Sequence, residues 1–196
     1  MCMTGNDIRP YKQRLRADCK EKRKALSEAE KARLDRKIAN KFLNLFQYRE
    51  AKVLFCYVST EIEVDTFQIL RRALESRKTV AVPRCIDGTR EMEFYVITDL
   101  AQLEPGAFGV LEPNPALCEK WTDLSDGLCV IPALSYDLSG YRLGYGKGYY
   151  DRFLSRFSGE TVGLVYENCL CDVLPHGKFD RRAEKIVTET RVINVF

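Results

Sequence analysis

Histidine is almost missing from this chain: His176 is the only one in 196 residues. Ser-His-Asp or Cys-His catalysis would have to run through it, in the turn-rich stretch Leu174-Pro175-His176-Gly177. No G-x-S-x-G elbow accompanies it, so covalent hydrolase chemistry is disfavoured and His176 reads as an exposed loop residue. Long apolar runs are missing too. No stretch approaches the roughly 20 residues of a membrane span, and the first residues carry no apolar signal-peptide core. A membrane or secreted protein is not expected. Cysteine is plentiful, with eight residues, but no C-x-x-C pair occurs. Cys169-Leu170-Cys171 has the wrong spacing for a zinc knuckle, and one histidine gives a Cys/His zinc site little support. Most of the cysteines fall inside apolar, strand-like runs. A chain this long buries enough core to fold without staples, so they read as reduced thiols of a cytoplasmic protein.

What is present is an ordinary globular composition, 45% hydrophobic and 30% charged, with a net charge of +3. The charge is unevenly spread. Residues 1–52 hold 15 Lys and Arg against 7 Asp and Glu, which leaves the remainder acidic. This basic part is helical. Ile8, Tyr11, Leu15 and Cys19 recur at helical spacing from about Asp7, with Pro10 tolerated in a first turn. Ser27 and Glu30 form an S-x-x-E capping box before a second stripe of Leu34, Ile38, Phe42 and Leu45. The two helices make a hairpin whose apolar seam must pack on something else.

From Val53 the period changes. Residues 53–58 form a short continuous apolar run, as in a strand buried on both faces. A helix over 65–76 follows, then strands over 79–83, 92–96 and 128–132, a helix over 149–157, and strands over 161–166, 186–188 and 192–195. Alternating strands and helices predict an α/β fold with a mostly parallel central sheet flanked by helices. No repeat or long linker interrupts residues 1–196, so one domain is expected, with the hairpin of 1–52 packed on it. Ligands of such sheets sit beyond the carboxyl ends of the strands. The segments to inspect are 59–65, 83–88 and 133–151.

The last of these holds Arg142-Leu143-Gly144-Tyr145-Gly146-Lys147-Gly148-Tyr149-Tyr150-Asp151, between a buried strand and an amphipathic helix. Alternating glycines let the backbone adopt positive φ and approach a ligand closely. Backbone N–H groups at a helix start, with Arg142 and Lys147 beside them, make an anion cradle. Asp151 then offers a carboxylate to a magnesium ion bridging phosphates. The loop is not a Walker A motif, because Tyr141 occupies the first glycine position and Gly148 follows the lysine. Nor is it a Rossmann G-x-G-x-x-G, because Tyr149 stands at the last glycine.

This loop, with Val130-Ile131-Pro132-Ala133-Leu134-Ser135-Tyr136-Asp137 before it, closely resembles the 5-formyltetrahydrofolate cyclo-ligase family, also called methenyltetrahydrofolate synthetases. The resemblance extends to Lys12-Gln13-Arg14-Leu15-Arg16, Glu61-Ile62-Glu63-Val64-Asp65-Thr66, Pro83-Arg84, Gly106-Ala107-Phe108-Gly109-Val110, Glu112-Pro113 and the stretch from Asp180 to Thr188-Glu189. It implies ATP- and magnesium-dependent closure of 5-formyltetrahydrofolate into 5,10-methenyltetrahydrofolate. A formamide oxygen is a poor leaving group. Phosphorylating it gives an iminium phosphate that the neighbouring folate nitrogen attacks, so the protein's task is to position two substrates and neutralise charge.

Residue by residue, the resemblance implies that Lys12, Gln13, Arg14, Leu15 and Arg16 bind ATP, with Lys12 and Arg16 one helical turn apart. It implies that Arg142, Leu143, Gly144, Tyr145, Gly146, Lys147, Gly148, Tyr149 and Tyr150 form the nucleotide loop, Lys147 and Arg142 acting on the transferring phosphoryl group. Asp151 and Asp180 match magnesium ligands. Cys56, Glu61, Phe108, Tyr145 and Tyr149 match folate-binding positions, Glu61 facing the pterin N–H donors. Many members carry arginine where Tyr145 stands and histidine where Phe179 stands. No nucleic-acid or membrane partner is expected, and the chain is expected to act as a monomer. Two other readings are a nucleic-acid module using the basic hairpin, which lacks an RNA-binding signature, and a sugar-phosphate isomerase, which would need no ATP.

Overall fold

The computed structural model describes residues 8–106 and 109–195. Phe108, expected at the folate site, lies outside the described residues. The basic segment is helical as expected. Helix α1 (Arg9–Lys24) carries Pro10 in its first turn, where its missing N–H has no helical partner to lose. Helix α2 (Glu28–Leu43) starts after Ser27, whose hydroxyl accepts from the Glu30 N–H at 3.2 Å.

The two helices are neighbours in sequence but bury separate faces. Leu34, Ile38 and Phe42 of α2 enter the main core. Leu15 and Cys19 of α1 pack instead with Leu134, Leu143 and Leu174 in a smaller cluster. Tyr11, expected on the apolar stripe of α1, is 47% exposed; of that stripe it is Leu15 and Cys19 that pack. Leu45 does not extend α2; it precedes a short helix, α3 (Phe46–Glu50).

The first strand, β1 (Val53–Cys56), is followed by α4 (Phe67–Glu75) and β2 (Thr79–Cys85) in a parallel crossover unit. Next come β3 (Met92–Ile97), β4 (Leu103–Pro105), β5 (Leu111–Pro113) and β6 (Glu119–Trp121). A buried strand, β7 (Leu128–Ile131), leads into the hairpin of β8 (Ser135–Asp137) and β9 (Arg142–Leu143). The chain closes through α5 (Tyr149–Leu154), β10 (Glu160–Leu164), β11 (Leu170–Cys171), β12 (Lys185–Val187) and β13 (Val192–Asn194).

The eight-stranded sheet runs β13-β12-β10-β7-β1-β2-β3-β6. The five central strands, β12 through β2, are mutually parallel, while β13, β3 and β6 add antiparallel edges. Chain direction across the sheet reverses at the β1/β7 pair: β1 passes outward to β2, and β7 to β10 on the other side. That is the switch point where open α/β sheets place ligands. Two loops meet there, residues 57–66 after β1 and residues 132–148 after β7.

Candidate active site

The second loop is anchored from inside. Asp137 is buried, its Oδ1 accepting from the Ser139 and Tyr141 N–H groups and its Oδ2 from Leu174 N–H at 2.8 Å. This tight turn sends β9 back along β8 and presents the glycine stretch above the strand ends. There Gly146 and Gly148 take positive φ of 93° and 75°, while Gly144 does not. A Cβ at Gly146 would lie 3.3 Å from the Arg16 guanidinium carbon. The position is therefore glycine for two reasons, backbone handedness and the close passage of an arginine.

Arg16 comes from α1, and its Nε donates to Gly144 O at 2.8 Å. One turn earlier, Lys12 Nζ lies 2.8 Å from Asp180 Oδ2, which also accepts from Gly177 N–H. Arg142 pairs with Asp151 Oδ1, which also accepts from the backbone N–H of Arg181, the residue after Asp180. Helix α1, the glycine loop, α5 and the segment around Asp180 therefore converge on one side of the sheet. Burial would raise the Asp180 pKa, but Lys12, the Gly177 amide and the Arg142 charge hold it below the usual carboxylate value. Burial lowers the Arg16 pKa. His176, expected to be an exposed loop residue, is half-buried and stacks on Tyr141 with ring centroids 3.6 Å apart. That stack holds the segment before Asp180 against the β8–β9 turn.

Beside the loop lies a cleft of about 430 Å³. One wall is the β2–β3 turn, Cys85 to Arg90; the other is Tyr145, Gly146, Lys147 and Tyr149. The Tyr149 hydroxyl donates to Thr89 O at 3.3 Å across it. Glu112, buried, accepts from Cys85 N–H at 3.1 Å behind this wall. Burial and the Glu112 charge push the Cys85 thiol up to about 11.

The profile of the 5-formyltetrahydrofolate cyclo-ligase family matches residues 8–189. The chain belongs to this family. Curated relatives include "Probable 5-formyltetrahydrofolate cyclo-ligase" from Caenorhabditis elegans, 28% identical across 95% of this chain and 96% of that protein. The "5-formyltetrahydrofolate cyclo-ligase" of Mus musculus is 26% identical across 95% and 98%. Among solved structures, the 5,10-methenyltetrahydrofolate synthetase of Aquifex aeolicus superposes with a TM-score of 0.81 at 33% identity, covering 94% of this chain and 92% of that one. Membership places the chain among ATP-dependent ligases of folate one-carbon metabolism. Among the described residues no helix is long and apolar enough to cross a membrane.

Against the residues expected from the cyclo-ligase family, the placement is uneven. Arg16 reaches the glycine loop and Lys12 reaches Asp180, whereas Gln13 and Arg14 are exposed on the other flank of α1 and Leu15 packs inward. Leu143 is buried and contributes backbone to the loop. The ring of Tyr150 packs against the main core, and its buried hydroxyl has no hydrogen-bond partner among the described residues. Cys56 is fully buried, its Sγ donating to Tyr57 O at 3.4 Å, so core packing accounts for it and it offers a ligand no exposed surface. Lys147 is exposed on the cleft.

The largest difference concerns the acid of the 57–66 loop. Glu61 is exposed, while Glu63, two residues on, is only 6% exposed. Glu63 Oε2 accepts from the Thr60 N–H at 2.8 Å and the Thr60 hydroxyl at 3.0 Å. Tyr145 approaches it from the glycine loop, with Lys20 over its ring at 5.7 Å. Burial and the Glu63 charge raise the Tyr145 pKa, so the phenol stays protonated at neutral pH. The signal for Glu63 was in the sequence, because Thr60-Glu61-Ile62-Glu63 has the T-x-x-E spacing that folds an acid back onto its own loop.

Proposed function

We propose that the glycine loop and α1 bind the ATP phosphates while Glu63 and Tyr145 form the folate wall of the cyclo-ligase site. The observation that supports this most is the reach of α1 across the chain: Arg16 bonds the glycine loop at Gly144, 128 residues away in sequence, and Lys12 bonds Asp180, 168 residues away. A helix whose cations serve only solvent has no reason to lie there. Lys12, Arg16, Arg142 and Lys147 supply positive charge on one side. Glu63 supplies a buried acceptor suited to adjacent pterin N–H donors. Tyr149, donating to Thr89 O, spans the adjoining cleft between the glycine loop and the β2–β3 turn.

In this reading the γ-phosphoryl group passes to the formyl oxygen of 5-formyltetrahydrofolate, and ADP leaves. The neighbouring folate nitrogen attacks the resulting iminium carbon with loss of its proton, and inorganic phosphate departs with the former formyl oxygen. Lys147 and Arg142 meet charge that grows on the phosphoryl oxygens as it moves, which is where fixed cations lower a barrier most.

Asp151 and Asp180 suit a magnesium ion. Both are hard oxygen donors, partly exposed, and linked through the Arg181 amide. No cluster of three or more His, Cys, Asp or Glu able to hold a metal exists among the described residues. Two carboxylates completed by phosphate oxygens and water is the usual magnesium arrangement beside ATP. Such an ion would neutralise phosphate charge; Arg142 and Lys12, now paired with those carboxylates, would turn to the phosphates.

Absorbance of methenyltetrahydrofolate, followed with and without ATP, tests the activity. Glu63→Gln and Glu61→Gln test the folate wall. Glu63→Gln should raise the folate KM about tenfold or more with the ATP KM little changed, and Glu61→Gln should leave both near normal. The reverse pattern would return the pterin to Glu61.

A further inference from the structure

Arg23, near the end of α1, is 3% exposed, an unusual place for a guanidinium. It spends its donors on backbone carbonyls from two separate loops. Nη1 donates to Ile62 O at 3.1 Å, and Nη2 donates to Ala133 O at 2.6 Å and Leu134 O at 2.9 Å. Its Nε has no partner among the described residues. The guanidinium carbon lies 5.6 Å from the centre of the Tyr166 ring, whose hydroxyl is itself tied to Asp35 at 2.6 Å. The fork is thus held from behind as well as in front.

What lies at the ends of these bonds matters more than their number. Ile62 immediately precedes Glu63. Leu134 donates its N–H to Leu143 O at 2.8 Å, and Leu143 leads into Gly144, whose carbonyl Arg16 takes. Among the described residues no backbone–backbone hydrogen bond joins the 57–66 loop to the 132–148 loop. Arg23 therefore bridges the acid wall to the root of the nucleotide loop. A buried cation is costly to desolvate, and a packing role alone would be met more cheaply by an apolar side chain.

We infer that Arg23 is a positioning residue for the ligase reaction: its three carbonyl bonds set the distance between the Glu63 loop and the glycine loop, and so between the two substrates. This rests on the reading that those loops are the folate and ATP walls. Each wall keeps its own internal bonds when Arg23 is changed, so binding of either substrate should survive. Transfer between them should not, because a misplacement of about 1 Å between reacting groups costs on the order of a hundredfold in rate. Lysine cannot replace the planar fork, since one ammonium does not span carbonyls of two loops in fixed geometry.

The test uses Arg23→Lys, Arg23→Met and Arg23→Ala, with Leu174→Ala from the small core cluster of Leu134 and Leu143 as a packing control and Glu63→Gln as a site control. Kinetics are run at a temperature where circular dichroism shows each variant folded. Arg23→Lys and Arg23→Met should lose about tenfold or more in kcat, with both KM values within about threefold. Methylguanidinium should return part of the kcat of Arg23→Ala and none of that lost, if any, by Leu174→Ala. A kcat within twofold of the parent in folded Arg23→Lys, or an equal loss in Leu174→Ala, overturns the inference. If Glu63→Gln is impaired while the Arg23 variants are normal, only the role of Arg23 fails; if Glu63→Gln is normal too, the assignment of the walls fails with it.

Discussion

Lys12 Nζ lies 2.8 Å from Asp180 Oδ2, joining the first helix to a segment 168 residues away. The same exchange occurs beside it between Arg142 and Asp151. Each pair unites a cation expected at the ATP phosphates with a carboxylate expected at the metal. These two cations are therefore balanced within the protein itself, and binding of a magnesium nucleotide would trade one set of partners for another of the same signs.

Replacing Lys12 by methionine should raise the ATP KM about tenfold, equivalent to about 1.4 kcal/mol, with a smaller effect on the folate KM. A stability signature should accompany it. The Asp180 pKa is lowered in the folded protein. Its contribution is therefore present above the ordinary carboxylate value of about 4 and is lost as pH falls through the lowered value. The gap in melting temperature between the parent and Lys12→Met should be widest near neutral pH and should narrow below about pH 4. A gap that stays constant with pH would mean that Lys12 stabilises α1 by packing alone.

Lys147→Ala should cut kcat by about a hundredfold at saturating ATP while leaving folate binding within a few fold, since the lysine meets charge that develops as the phosphoryl group moves. Calorimetric folate titration and single-turnover rates on the same preparation separate the two quantities. Near-normal turnover would assign Lys147 to ground-state binding only.

Much of this arrangement was legible beforehand. The short apolar runs at β1, β2, β7 and β10 read directly as strands. The glycine spacing marked its loop. What was not legible was short or depended on contacts distant in sequence. β4, β5, β6, β8, β9 and β11 are two or three residues long and have no period to detect. Tyr11 sits on the expected stripe, yet the partner surface ends before it. Glu61 and Glu63 both lie in a plausible loop, and only the fold turns one inward. Nothing in the sequence sets Arg23 apart from the other charges of the basic segment, because its carbonyl partners lie 39 to 111 residues away.

Gly146→Ala tests the loop through its backbone. At a φ of 93° an alanine is strained by roughly 1 kcal/mol or more, and its Cβ would press on the Arg16 guanidinium at 3.3 Å. The expected result is a fall of a few degrees in melting temperature together with a rise of about tenfold in the ATP KM. Gly144→Ala is the comparison, since no atom lies within 4 Å of a Cβ there. Equal effects at both positions would remove Arg16 from the explanation.

Asp151→Asn separates a metal ligand from a structural acid. Asp151 lies in the first turn of α5, where a carboxylate also suits the helix dipole, worth about 0.3–1 kcal/mol. Its Oδ1 accepts from Arg142 and from the Arg181 amide. Asparagine keeps an acceptor for both bonds but leaves the buried Arg142 guanidinium without its counter-charge, so the melting temperature should fall by a few degrees. It removes the negative charge, so a magnesium ion held there should bind less tightly, and the magnesium concentration for half-maximal activity should rise about tenfold. Asp180→Asn should move the same midpoint if both carboxylates face one ion. Melting curves and magnesium titrations at fixed, saturating ATP should be recorded on each variant. An unchanged magnesium midpoint with a lowered melting temperature would make Asp151 a partner of Arg142 alone, with the ion carried by ATP and water.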